Sequence, residues 1–119
     1  MKNQFIFLAT CNTCKRIQSD LNLPNDITLQ NTKTDPITEE QIDFLHEQSG
    51  SYESLFNRRS QQYRGRGLHE QELKESDYKS LLLDHYSFLK RPILIYNDIA
   101  YIGNSKKVVA AATEALRDE

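Results

Sequence analysis

Apolar residues fall in short blocks along this chain, and the spacing within them switches between two periods. Residues 4–8 hold the run Phe5-Ile6-Phe7-Leu8, rich in β-formers, which predicts a short buried strand. Over residues 13–21 the period changes. Cys14, Ile17 and Leu21 stand at i, i+3 and i+7, on one face of a helix. Pro24-Asn25-Asp26 stops that helix, and residues 27–32 then alternate Ile27 and Leu29 with polar partners, as a half-exposed strand does. A β-α-β crossover of this kind sets its two strands parallel.

Asp35-Pro36-Ile37 leads into a second helix. Thr38 and Gln41 have the spacing of a capping box, Ile37 and Ile42 can staple across it, and Gly50 ends it. Ile42, Phe44 and Leu45 supply its apolar face. Residues 52–56 predict one more helical turn. Periodicity fails over residues 57–67, and it resumes over residues 77–86 in a helix packed through Leu81, Leu82 and His85. Pro92 then opens Ile93-Leu94-Ile95-Tyr96, a buried strand. Asn97-Asp98 turns the chain, and residues 99–102 return antiparallel to it. Beyond Gly103, a last helix carries the stripe Val108, Val109, Ala112 and Leu116, capped by Ser105 or Asn104. The predicted order is β-α-β, helices, β-β-α, with no repeat, low-complexity tract or linker.

Composition narrows the class. A chain of 119 residues is one domain, long enough to bury a core, and a monomer is expected. Lys and Arg total 15 against 17 Asp and Glu, so net charge does not recruit nucleic acid. Four of the seven arginines crowd at 58, 59, 64 and 66, with Tyr63 the single aromatic between them. This cluster has three readings: a solvated loop paired with the acids of residues 69–77, an anionic-substrate contact, or a surface for an acidic partner. Lys2, the run to Leu8 and Leu8-Ala9-Thr10-Cys11 have the outline of a lipoprotein signal, but the apolar core falls short of the roughly 7–15 residues required. No segment approaches membrane-spanning length. The expectation is a cytoplasmic protein.

The chemistry is expected at Cys11-Asn12-Thr13-Cys14. These are the two cysteines of the chain, and random placement would set two cysteines three apart only about one time in sixty. A strand would deliver the first sulfur to a helix N-terminus, where free amides and the helix dipole favour a thiolate. One helical turn brings the second sulfur within disulfide reach. Lys15, Arg16 and Arg91 are the candidate cations. Two other readings are a zinc half-site and plain packing. Zinc needs two further ligands, and His46, His69 and His85 show no ligand spacing, so no metal is expected.

Cys-x-x-Cys after the first strand, with this element order, is the thioredoxin-like layout. More closely, the whole chain resembles the arsenate reductase (ArsC) family with its YffB and Spx relatives. The match is carried by Cys11-Asn12-Thr13-Cys14-Lys15, by Leu55-Phe56-Asn57-Arg58-Arg59-Ser60 with Tyr63, by Phe88-Leu89-Lys90-Arg91-Pro92-Ile93, and by Ile102-Gly103. The resemblance implies an α/β fold with a four-stranded mixed sheet and a helical insertion at about residues 37–87 between strands two and three. It also implies a cis bond before Pro92, facing the cysteine loop. By the same resemblance Cys11 is the nucleophile and Arg91 an anion-binding guanidinium. Cys14 is a departure from glutaredoxin-coupled arsenate reductases, which need only the first sulfur, and by thiol chemistry it could resolve the adduct. Lys15, Asn57 and Arg59 are candidate substrate contacts. Arsenate-reducing members carry two further arginines, where this chain has Asn57 and Asn104. The paired thiols look more like those of Spx regulators, and YffB proteins share the Asn57 pattern. Two functions are therefore expected to compete. One is a reductase of arsenate or a glutathione mixed disulfide, without bound cofactor, served by glutathione, glutaredoxin or thioredoxin. The other is an Spx-type redox sensor docking on RNA polymerase.

Overall fold

The structure is a computed structural model, and it describes residues 1–117. The chain divides into two compact units: Met1–Asp35 together with the segment from Arg91 onward, and Pro36–Lys90. The first unit holds the sheet. Strands β1 (Gln4–Phe7), β2 (Thr28–Asn31), β3 (Ile93–Tyr96) and β4 (Ile99–Ile102) lie in the order β2-β1-β3-β4. β1 runs parallel to β2 and antiparallel to β3, and β3 is antiparallel to β4. This is the thioredoxin-like α/β layout with its mixed four-stranded sheet. The β3–β4 hairpin turns on Asn97 and Asp98, at φ of 51° and 63°, as a two-residue turn matched to strand twist requires.

Helix α1 (Asn12–Leu21) makes the crossover between β1 and β2, and α5 (Lys106–Arg117) follows β4. Phe5, Leu94 and Tyr96 from the strands meet Ile17 and Leu21 of α1 and Ala112 of α5 in one buried cluster. Each large apolar side chain so buried contributes about 1.5–3 kcal/mol relative to exposure. The stripe along α5 thus faces the sheet. Ser105 is its cap: the hydroxyl accepts from Val108 N at 3.2 Å.

The second unit is helical. It contains α2 (Glu39–Ser49), α3 (Gln61–Gly65) and α4 (Glu75–Asp84), with single 3₁₀ turns at Glu53–Leu55, Leu68–Glu70 and Tyr86–Phe88. The capping box on α2 is present in both directions, Gln41 N donating to Thr38 Oγ1 and Thr38 N to Gln41 Oε1. Gly50 ends the helix at φ 93°. Three expectations shift here. α3 occupies the aperiodic stretch, its first turn capped by Ser60 Oγ, which accepts from Gln62 N. α4 starts two residues early because Lys74 N donates to Asp77 Oδ2 at 2.8 Å, and it stops at His85, which is extended. On α2, Gln41 is buried while Phe44 is only half-buried. Two basic side chains of the arginine cluster pair with Glu53 and Asp84, not with the acids of residues 69–77: Arg58 and Arg66 reach them at 2.6 Å each.

Candidate active site

β1 ends at Phe7, and a tight turn carries the chain into α1, closed by Cys11 N donating to Leu8 O at 3.0 Å. Cys11 is itself the N-cap of α1. Its backbone is extended (φ −91°, ψ 114°), and its sulfur accepts from Cys14 N at 3.4 Å. A cap residue normally offers an oxygen to an orphan amide, whereas here a sulfur occupies that place. The arrangement favours the anion over the thiol, because the Cys14 amide at the helix start donates to it.

Burial works to raise the Cys11 thiol. The Cys14 amide, the Cys14 thiol and the charge and hydrogen bond of the Arg91 guanidinium outweigh it, so the group lies below the ordinary value of 9.0. Cys14 goes the other way. It is fully shielded from solvent on the inner face of α1, and burial first, then the Cys11 sulfur, push it up to about 11 against help from the Leu8 backbone. The two sulfurs are unreacted thiols, one half-buried and one buried. The two groups are driven apart, so Cys11 is the first of the pair to ionise and Cys14 holds its proton to higher pH.

Arg91 enters from the start of β3. The Arg91–Pro92 bond is cis, and Pro92 O accepts from Gly103 N at 2.9 Å, which ties the segment to the end of β4. Gly103 sits at φ 98°, a conformation open to glycine. The first unit therefore brings together Cys11, Cys14 and Arg91, with Pro92 following Arg91 in the chain. Lys15 is exposed on α1. Its amide donates to Cys11 O at 3.1 Å, and its side chain lines an open groove with Gln18, Ser19 and Asn22. Asn57 and Arg59 belong to the second unit. Asn57 Nδ2 donates to Ser87 O at 3.4 Å, Asn57 Oδ1 accepts from Arg59 N at 3.1 Å, and the Arg59 side chain is exposed. Among the described residues, no three His, Cys, Asp or Glu side chains cluster as metal ligands would, and no helix is long and apolar enough to cross a membrane.

Sequence reasoning did not foresee two contributors. The Leu8 backbone supports the Cys14 sulfur, and Asn31 reaches the cysteine turn from β2. A main-chain group leaves no mark in a sequence. An asparagine closing a strand reads as an ordinary turn former.

A sequence model of the ArsC family matches residues 8–112. No curated protein matches the chain. Among solved structures, it is similar to a YffB protein at TM-score 0.78 and 19% identity, over 97% of this chain and 99% of that one. An ArsC-family-related protein from Bacteroides fragilis superposes at TM-score 0.76 with 21% identity, over 94% and 98% of the two chains. An arsenate reductase from Vibrio cholerae does so at TM-score 0.69 and 16% identity, over 98% and 100%. At such identities the likeness of structure is one of fold.

Proposed function

The chain belongs to the ArsC family, and from that premise we propose that it is a thiol-dependent oxidoreductase with Cys11 as its nucleophile. The observation that carries this reading is the lowered Cys11 thiol beside Arg91, paired with a Cys14 thiol that stays protonated. On a glutathione mixed disulfide, the Cys11 thiolate attacks one sulfur and the other leaves as a thiolate. Cys14 then gives up its proton and attacks the Cys11 sulfur, or an external thiol does so in its place. The closed disulfide is reduced by glutathione, glutaredoxin or thioredoxin. On arsenate, Cys11 forms an arsenic–sulfur bond as water leaves. A second thiol then takes that sulfur, and arsenic departs two electrons richer as arsenite. Arg91 supplies a planar donor pair for an oxyanion or holds the thiolate. Lys15, Asn57 and Arg59 are proposed to contact the substrate. Such a cycle fits a thiol-reducing compartment such as the cytoplasm.

The test is turnover of arsenate and of a glutathione mixed disulfide, each with glutathione plus glutaredoxin or with thioredoxin as reductant. Activity with at least one substrate that disappears in Cys11→Ser is the expected result. No turnover with either, together with RNA polymerase capture that changes on oxidation, would replace the enzyme by an Spx-type sensor.

A further inference from the structure

Asn31 is the last residue of β2 and pairs with Phe7 in the parallel register. Its side-chain Oδ1 accepts from Ala9 N at 3.1 Å, across 22 positions of sequence, and from Lys33 N at 3.4 Å. Two backbone donors converging on one atom identify that atom as the oxygen of the amide. The Asn31 carbonyl is engaged as well, accepting from Asp35 N at 2.8 Å and Thr34 N at 3.2 Å. Next to it, Thr32 donates both its amide and its hydroxyl to Phe7 O, at 2.9 and 3.2 Å. The end of β2 is thus fixed from several directions and offers one acceptor to the chain leaving β1.

Ala9 lies inside the turn that Cys11 N closes on Leu8 O. The ladder between β1 and β2 has already ended, so the Asn31 side chain supplies the acceptor that a further strand residue would have supplied. If the turn swings, Cys11 moves relative to Cys14 N, and the Leu8 backbone moves relative to the Cys14 sulfur. We infer that Asn31 is a positioning residue for the Cys11 sulfur, its side-chain oxygen pinning the Ala9 amide so that the nucleophile stays beneath the Cys14 amide and against Arg91. This inference rests on reading Cys11 as a reactive thiol and adds a residue that touches neither sulfur nor substrate.

The experiment follows the pH dependence of Cys11 alkylation and the hydrogen exchange of the Ala9 amide in the parent, Asn31→Ala and Asn31→Asp. In Asn31→Ala, Ala9 exchange accelerates. The alkylation midpoint rises by about half a unit to one unit, a three- to tenfold fall in thiolate at neutral pH. Asn31→Asp keeps the acceptor and restores the parental Ala9 exchange, while its partly buried added charge, which salt screens little, holds the alkylation midpoint above the parent's. If Asn31→Ala does not fold, Asn31→Ser, whose hydroxyl stops short of Ala9, gives the same two readouts. A midpoint unmoved by loss of the acceptor overturns the inference, as does Ala9 exchange that accelerates in Asn31→Asp as much as in Asn31→Ala. A parent midpoint at the ordinary thiol value of 9.0 defeats the reactive-thiol reading itself, and the parent alone reports it.

Discussion

At the residue scale, the lowered titration of Cys11 depends on a few donors whose removal can be ranked. Arg91 acts on the sulfur through both charge and a hydrogen bond. Arg91→Met keeps the length and loses both, so the Cys11 midpoint rises by about one unit and alkylation at neutral pH slows roughly tenfold. Cys14 acts through its amide, which any substitution but proline retains, and through its thiol, which Cys14→Ala deletes and Cys14→Ser replaces with another donor. Cys11 in Cys14→Ser is therefore expected to titrate below Cys11 in Cys14→Ala, and thiolate absorbance against pH measures the difference. The closeness of the two sulfurs was legible from their spacing alone, one helical turn apart, although that spacing left a zinc half-site and plain packing open. Arg91 was not. A lone arginine before a strand has no local pattern, and it was found through resemblance over a whole segment.

At the scale of elements, legibility followed length. β1, α1, β3, β4 and α5 each show a full hydrophobic period and a recognisable start or stop, and each lies within a residue or so of its expected place. α3 is five residues long, too short for a period, and buries none of them; its only signal is Ser60. The 3₁₀ turns at Leu68–Glu70 and Tyr86–Phe88 escaped for the same reason. Local devices that do show in the sequence can be tested one at a time. Thr38→Ala removes one arm of the capping box on α2 and is expected to cost about 1 kcal/mol in denaturant unfolding. Gly103→Ala meets no atom, because a Cβ there would face open space. Its cost is therefore the backbone term alone, about 1–2 kcal/mol at φ 98°. That residue also donates to Pro92 O, so a larger loss, or a changed Cys11 titration, would show that strain at Gly103 is passed to the Arg91 segment.

For the molecule as a whole, the two sulfurs tie folding to pH with opposite signs. Cys11 titrates lower folded than unfolded, so its contribution is complete above the ordinary thiol value of 9.0 and fades as pH falls through the folded midpoint. Cys14 titrates higher folded than unfolded. Its contribution is complete below 9.0 and is lost as pH climbs from there through about 11, since the unfolded chain ionises a thiol that the fold keeps neutral. The pair therefore places its greatest combined support near pH 9, with a decline on each side. Tyr52, raised by Asp43, and Lys79, raised by Glu39 and then Asp43, also weaken their contributions at alkaline pH, so the parent's high-pH limb is not the sulfur's alone. A difference measurement separates them. Unfolding by denaturant is compared between parent and Cys14→Ala at each pH from about 7 to about 11. The stability gap between them should narrow above pH 9 by about 2 kcal/mol, because the alanine variant has no buried thiol to deprotonate. The same comparison with Cys11→Ser should show its gap narrowing in the other direction, as pH falls below 9. If the Cys14→Ala gap stays constant across the alkaline range, Cys14 titrates alike in both states, and the opposed roles assigned to the two sulfurs fail with it.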